Sequence, residues 1–387
     1  MKIAQAVGPA DVEAGDVAEH NLTQFEYLAL NSTLNIADGH ARQGLTAGHA
    51  RIIDDLPAMF RSAAAAPVEV LEERAYRTYF RMLGQHSHPA GGTRVLSCYS
   101  SSVAMEIFSR ALATRADAVA LIHPTFDNIP DLLSGCGLKL FPVEEDALHQ
   151  GDLDENLLRS VGCVFITTPN NPTGRVLSEA RLARLAEECR EHDIVLALDT
   201  SFRGFDTRAH YDHYAVLEAS GSRWCVIEDT GKLWPTLDLK VGWLVSGETV
   251  GLPIAKIYSD ILLGVSPLVL EMVHRFAEDG IAGGLGELHR FIAGNRQLVR
   301  DRVAGLPGVH IADPDSRASV ERLHLGHRTG LEVWSALRER NVFALPCTKF
   351  HWANPGEGEH SMRIALARSR APLATAADAF RSVLAGV

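Results

Sequence analysis

Thr168-Pro-Asn-Asn-Pro-Thr-Gly174 lies between an apolar run, Cys163-Val-Phe-Ile-Thr167, and the helix-patterned Leu177-Ser-Glu-Ala-Arg-Leu-Ala-Arg-Leu-Ala-Glu-Glu-Cys189. A short run without polar alternation reads as a strand buried on both faces. In the segment that follows, Leu182, Leu185 and Cys189 share one helical face. The prolines and glycine between them fix a rigid turn. In an α/β sheet such a loop stands over the carboxyl edge of the strands, where its Asn side chains can face a ligand. Taken alone, it is equally a structural strand-to-helix turn.

The same alternation extends in both directions. Ala118-Val-Ala-Leu-Ile-His123, Leu138-Lys-Leu-Phe-Pro142, Ile194-Val-Leu-Ala-Leu-Asp199 and Trp224-Cys-Val-Ile-Glu228 read as further buried strands separated by helical segments. That order predicts an α/β sheet, mostly parallel, with helices on both faces. Beyond Ser266-Pro267 the pattern changes to long amphipathic helices, short strands near Val342-Phe-Ala-Leu-Pro346 and Ser361-Met-Arg-Ile-Ala-Leu366, and a closing helix from Pro372 to Leu384. The expected organisation is an arm over 1–45, a large domain over 46–265 and a smaller α+β domain over 266–387. Residues 1–20 are acidic and poor in large hydrophobes, which predicts loose order.

Bulk properties exclude several classes. A net charge of −11 argues against nucleic-acid binding, which needs clustered Lys and Arg. No apolar stretch is long enough to span a bilayer, and the first residues lack the apolar core of a secretory signal. The six cysteines are scattered without a C-x-x-C pair, as in a reduced cytoplasmic protein. No metal-ligand spacing and no flavin or haem motif is present in the sequence, so no metal is expected.

Three side chains stand where chemistry is commonly placed. Asp199 ends a buried strand, Lys232 follows another within Glu228-Asp-Thr-Gly-Lys-Leu-Trp234, and Arg363 sits among apolar neighbours in Met362-Arg-Ile-Ala-Leu366. Each has an ordinary alternative: a turn-forming Asp, a solvated Lys, an Arg paired with a structural carboxylate. Their order is more specific. Asn-Pro-Thr-Gly, an Asp ending the next strand, a Lys followed by Lys240-Val-Gly242, and a late Arg together resemble fold type I of the pyridoxal-phosphate (PLP) enzymes, from roughly residue 60 to the end.

The resemblance implies a large domain with a mostly parallel seven-stranded sheet sandwiched by helices, plus a smaller α+β domain. It implies that Lys232 anchors PLP covalently and moves protons, and that Asp199 pairs with the pyridinium nitrogen. Asn171 would bond the ring's phenolate oxygen and Phe126 would stack on the ring. Ser101 and Ser102, opening a helix, would hold the phosphate with Lys240, and Arg363 would clamp the substrate α-carboxylate. A homodimer is implied because sites of this fold lie between subunits. Three departures bear on the reaction. Phe202 stands where a Tyr usually meets the phenolate oxygen, Asp229 where a phosphate-binding hydroxyl is usual, and Lys240 where an Arg is usual.

At the amino end, Asn21-Leu-Thr-Gln-Phe-Glu-Tyr-Leu-Ala-Leu-Asn31 reads as a short helix in which Thr23 and Glu26 form a capping-box pattern. Ile36-Ala-Asp-Gly-His-Ala-Arg-Gln43 follows, and on its own is a polar loop. These segments, with Ser97-Cys-Tyr-Ser-Ser-Ser102, His123-Pro-Thr-Phe-Asp-Asn128 and Asp229-Thr-Gly-Lys-Leu-Trp-Pro-Thr-Leu-Asp-Leu-Lys240, resemble the PLP- and O2-dependent L-arginine oxidases and hydroxylases of the enduracididine and azomycin routes. That likeness implies a substrate-covering helix with Thr23 and Glu26 near the ligand, and His40 as general base for hydroxylation. Asp229 in place of a hydroxyl, with the further negative charge of Glu26 and Asp38, leads to the expectation that Asp229 and Glu26, joined by Asp38, pair with the substrate guanidinium. The expected products are 4-hydroxy-2-oxoarginine and 2-oxoarginine, with ammonia and hydrogen peroxide. A conventional aminotransferase acting on a basic amino acid is the alternative.

Overall fold

A computed structural model describes residues 19–386. The acidic stretch read as loosely ordered therefore lies outside the described residues, except for its last two. The central sheet has seven strands in the order β2-β8-β7-β6-β5-β3-β4. They are β2 (Val95–Cys98), β3 (Ala118–His123), β4 (Lys139–Glu144), β5 (Cys163–Thr167), β6 (Val195–Asp199), β7 (Arg223–Asp229) and β8 (Gly242–Ser246). The run β7-β6-β5-β3-β4 is parallel. β8 is antiparallel to both its neighbours, so β2 points the same way as the parallel set. Six strands thus end at one edge, and the loops leaving five of them build the site described below.

Burial follows position in the sheet. β3, β5 and β6 are buried along their whole length, as their unbroken apolar runs require. β4 corrects the sequence reading: most of its residues are exposed. It is the last strand of the sheet, where Pro142 costs no ladder bond. β2 and β8 escaped the sequence reading because each is short and carries Ser or Gly among its apolar residues.

The chain beyond residue 266 forms a four-stranded antiparallel sheet, β12-β13-β10-β9. Its strands are β9 (Val309–Ile311), β10 (Val320–Leu325), β12 (Leu345–Pro346) and β13 (Ser361–Ala365), flanked by the helices Leu285–Val303 and Arg370–Ala385. The amino-terminal segment is stitched into this part. β1 (Leu34–Asn35) pairs in parallel with β11 (Val342–Phe343), and Ala365 donates its N–H to the Ile36 carbonyl at 2.8 Å. Residues 34–42 are thereby held against β13 and the segment after it, beside Arg363.

Candidate active site

Strand register brings the floor of the site together. Gly242, at the start of β8, pairs with Cys98 on one side and Asp229 on the other. A side chain at 242 would collide with the Ser100 backbone, at 2.5 Å from its carbonyl carbon. Glycine therefore lets the loop after β2 settle next to the end of β7. Ser100 then caps the helix Ser101–Leu112 by accepting from Val103 N at 3.2 Å. The first amides of that helix have no intrahelical partner, and they form an anion-binding end.

Asp229 sits in this cup. Its carboxylate accepts from Ser101 Oγ at 3.1 Å and from Gly231 N at 2.8 Å. Both donors are neutral, and Asp229 is in no ion pair among the described residues. Lys240 stands nearby with its ammonium pulled below the ordinary range by burial, an effect that Asp229 partly offsets.

The neighbouring strand, β6, delivers Asp199 into a nearly closed environment within electrostatic reach of Asp229. Burial pushes its carboxyl up to about 6 against the pull of two bonds from Ser201, N at 2.9 Å and Oγ at 2.6 Å. Both bonds fall on Oδ1. The Asn-Pro-Thr-Gly loop divides its labour. Asn170 is structural, donating to the Pro124 carbonyl at 2.9 Å and to buried Glu145 at 2.8 Å, and Thr173 donates to the same Glu145 oxygen. Asn171 lines the cavity, and its buried Oδ1 has no partner. Gly39 approaches so closely that a Cβ there would lie 3.7 Å from Lys232 Nζ and 3.8 Å from the Phe202 ring.

A short helix, Leu22–Ala29, forms the roof. Leu22, Phe25 and Ala29 bury one face, and Phe25 meets Trp334 edge-on at 5.2 Å, a pairing worth about 0.5–1.5 kcal/mol beyond its buried area. The cap differs from the expected one. Asn21 and Gln24 form the capping box, with bonds of 2.9 Å and 2.8 Å, because the helix starts at Leu22. Thr23 and Glu26 are thus free of capping and face the cavity. Glu26 reaches the Arg363 guanidinium at 3.3 Å, and Arg363 also donates to the Ala37 carbonyl and lies over the Phe350 ring.

All but one of the residues singled out from the sequence converge on this cavity: Thr23, Glu26, His40, Ser101, Ser102, Phe126, Asn171, Asp199, Phe202, Asp229, Lys232, Lys240 and Arg363 line it. Asp38 does not, and its expected contact with substrate is corrected. The carboxylate is buried and committed to Arg42 at 2.8 Å, Arg368 at 3.4 Å and Asn35 at 2.7 Å. Burial alone would raise its pKa. The His40 hydrogen bond and the Arg368 and Arg42 charges outweigh that and hold it well below the carboxylate range. Asp38 instead supports His40, whose Nδ1 is 3.5 Å from it while Nε2 is 2.8 Å from Lys240 Nζ.

Sequence reasoning missed Ser201, Gly39 and Arg368. Ser201 had a signal, since a Ser two residues after an Asp is a turn pattern. Arg368 fixes the backbone of the amino-terminal loop through the carbonyls of Asn35, Asp38 and His40.

The profile of class I and II aminotransferases matches residues 71–380. The chain belongs to this family. Relatives in it include an aromatic amino acid aminotransferase of Streptomyces avermitilis, 26% identical over 67% of this chain and 69% of its own length. An LL-diaminopimelate aminotransferase of Nitratidesulfovibrio vulgaris is 26% identical over 72% of this chain and 73% of its own. Among solved structures, MppP soaked with the product 2-ketoarginine is 61% identical, with a TM-score of 0.90 over 91% of this chain and 100% of that one. Aspartate aminotransferase of Thermus thermophilus with maleate, at 16% identity and a TM-score of 0.75 over 94% of this chain and 96% of that one, shares the fold.

The cofactor of the family is PLP, and the donor set here fits it. The cup of Ser101, Ser102, helix amides and Lys240 suits a phosphate, buried Asp199 suits a protonated ring nitrogen, and Asn171 lines the cavity where its side-chain N–H groups can donate to a ligand oxygen. Lys232 lines the same cavity and offers a primary amine of the kind such a cofactor needs. Among the described residues no helix is long and apolar enough to cross a membrane, and five of the six cysteines are buried.

Proposed function

We propose that this protein is a PLP-dependent L-arginine oxidase and hydroxylase. The observation that carries the reading is its 61% identity, over 91% of the chain, to a protein whose structure was soaked with 2-ketoarginine as product. Asp229 and Glu26 line the same cavity, and two carboxylates there support a cationic substrate such as a guanidinium.

PLP, when bound, withdraws electrons from the substrate's α-carbon. The residues do the rest. Arg363 takes the α-carboxylate, which displaces Glu26 and frees it, with Asp229, for the guanidinium. Asp199, ionised against the ring nitrogen, holds the proton there. Lys232 Nζ collects the α-proton. Phe126 and Phe202 bound the ring, and Thr23 closes the roof against bulk water. Lys240, engaged with the phosphate together with Ser101 and Ser102, gives up the Nε2 lone pair of His40, which then takes a proton from the water that adds at the substrate's γ-carbon.

Arginine, O2 and water give 2-oxoarginine, ammonia and hydrogen peroxide. A second O2 and a second water give 4-hydroxy-2-oxoarginine and a second peroxide, so the hydroxyl oxygen comes from water. We place the arm in residues 1–45, the cofactor domain in 46–265 and the smaller domain in 266–387, in a cytoplasmic homodimer.

Purified holoenzyme given L-arginine and no 2-oxo acid decides the matter. Oxygen uptake with ammonia and peroxide is expected. Turnover that requires a 2-oxo acid and consumes no O2 would make this a conventional aminotransferase.

A further inference from the structure

Two histidines that line no part of the site meet on its outer flank. His123 ends β3, and His351 follows the single turn Thr348–Phe350. Both are buried, and neither His123 Nε2 nor either ring nitrogen of His351 has a hydrogen-bond partner. His351 Nδ1, buried and without a hydrogen bond, is open to a ligand. Glu357, half-exposed in the turn Pro355–Gly358, closes the group. One donor atom from each of the three residues lies within 4.8 Å of the others.

The separations are those of a coordination shell. Glu357 Oε2 is 3.4 Å from His351 Nδ1 and 3.9 Å from His123 Nδ1, and Glu144 Oε2 is 3.3 Å from His123 Nδ1. A tetrahedral ion with bonds of ~2.0 Å spaces its ligand atoms about 3.3 Å apart. The geometry points to a zinc-class divalent site formed by His123, His351 and Glu357, with water completing the shell. Paired imidazoles with a carboxylate favour Zn2+ or Co2+ over Mg2+ or Ca2+, which take oxygen ligands. The neighbouring cation Arg322 is already engaged by Asp313, at 2.7 and 3.0 Å. The unpartnered Nε2 atoms of both rings mean that the usual supporting acceptors are missing, which lowers affinity by about 10–100-fold relative to a fully supported site. Binding should therefore be reversible.

The ion would act as a strap. Thr125 N donates to the Phe350 carbonyl at 3.0 Å, and Trp352 Nε1 to the Ile122 carbonyl at 3.0 Å, so β3 and the 350–352 segment already touch. Phe350 lies 5.8 Å from the Phe126 ring and under Arg363. Occupancy stiffens this wall of the cavity. No sequence spacing announced the group, because its ligands come from separate segments.

Equilibrium dialysis of the untagged holoenzyme against micromolar zinc chloride, with metal counted per chain, tests the site. One equivalent is expected, and Co2+ in its place should give the intense visible bands of four-coordinate cobalt. Glu357→Gln and His351→Gln should each weaken binding at least about tenfold while keeping the PLP absorbance of the parent. Wild type that binds no zinc, six-coordinate cobalt spectra, or undiminished binding in the variants would each overturn the proposal. If His351→Gln does not fold, Glu357→Gln on its exposed turn decides alone.

Discussion

Glu26 Oε1 lies 3.3 Å from Nη2 of Arg363, so the roof of the cavity is ion-paired to the cation on its wall. Arg363 is almost fully buried, whereas Glu26 retains some exposure. Such a pair is exchangeable: a substrate carboxylate can replace Glu26 without leaving Arg363 uncompensated, and a cationic side chain can then receive Glu26. Removing either charge alone is costly because the other stays behind without a partner.

Arginine should therefore be used far better than citrulline, a near-isostere without the charge. Losing one member of a buried charge pair costs about 2–5 kcal/mol, or about 30- to 1,000-fold or more in kcat/KM. Asp229→Asn should reduce the ratio of the two efficiencies, chiefly by impairing arginine. Equal kcat/KM on the two substrates in wild type would remove the guanidinium from this end of the cavity.

Lys232→Ala should lose the cofactor's absorbance at the covalent linkage and all turnover. Its position just past β7, beside Gly39 and Phe202, leaves no second lysine as well placed, since Lys240 Nζ is held by His40 at 2.8 Å. Spectra of the reconstituted variant and an oxygen electrode measure both effects. Near-native O2 uptake would show that the anchor lies elsewhere.

Asp127 gives a pH-dependent test of the roof. Its Oδ2 accepts from Leu22 N at 2.6 Å, at the start of the covering helix. Burial, reinforced by Asp131 and Glu26 and opposed by the Leu22 bond, raises its carboxyl to about 7. The folded protein thus keeps this proton longer than the unfolded chain. The associated stability is complete below the ordinary carboxylate pKa and is lost as pH rises through about 7. Asp127→Asn keeps an acceptor and removes the charge. It should melt above wild type at alkaline pH, a gain on the order of 1–3 kcal/mol, with the difference shrinking as the pH falls toward 5. A difference that does not change with pH would contradict this.

What was legible in the sequence was whatever local pattern fixes. Asp199 and Lys232 stood out because each lies at or just past the end of a buried strand, and their order with Asn-Pro-Thr-Gly and Arg363 suggested their roles. Asp38 was misread for the opposite reason. Its partner Arg368 lies 330 residues away in sequence, and no local pattern shows that the carboxylate is already spent. The cap of the roof helix was ambiguous because Asn21 and Thr23 are both good caps, and only the register of Phe25 on Trp334 chooses between them. β4 reads as a core strand until sheet order shows that it lies at an edge.

His40 carries the prediction that bears on mechanism. Its ring is gripped from two sides, Nδ1 toward Asp38 at 3.5 Å and Nε2 against Lys240 at 2.8 Å, which is not the situation of a solvated surface histidine. A lysine ammonium only donates, so Nε2 is the acceptor and Nδ1 carries the proton toward the ionised Asp38. That tautomer puts the Nε2 lone pair on Lys240, and once Lys240 turns to the phosphate the lone pair can take a proton from water. Cofactor binding and removal of the α-proton do not need it, because Lys232 serves both. His40→Ala should keep the holoenzyme spectrum, consume O2 and release peroxide. Its product should shift from 4-hydroxy-2-oxoarginine toward 2-oxoarginine. Asp38→Asn, which leaves the imidazole in place but removes the charge behind Nδ1, should shift the product in the same direction by a smaller amount. The ratio of the two keto acids at saturating O2 measures both effects. If it is the same in His40→Ala as in wild type, the hydrating base is another group, and the Lys240–His40–Asp38 chain serves to hold the amino-terminal loop over the cavity.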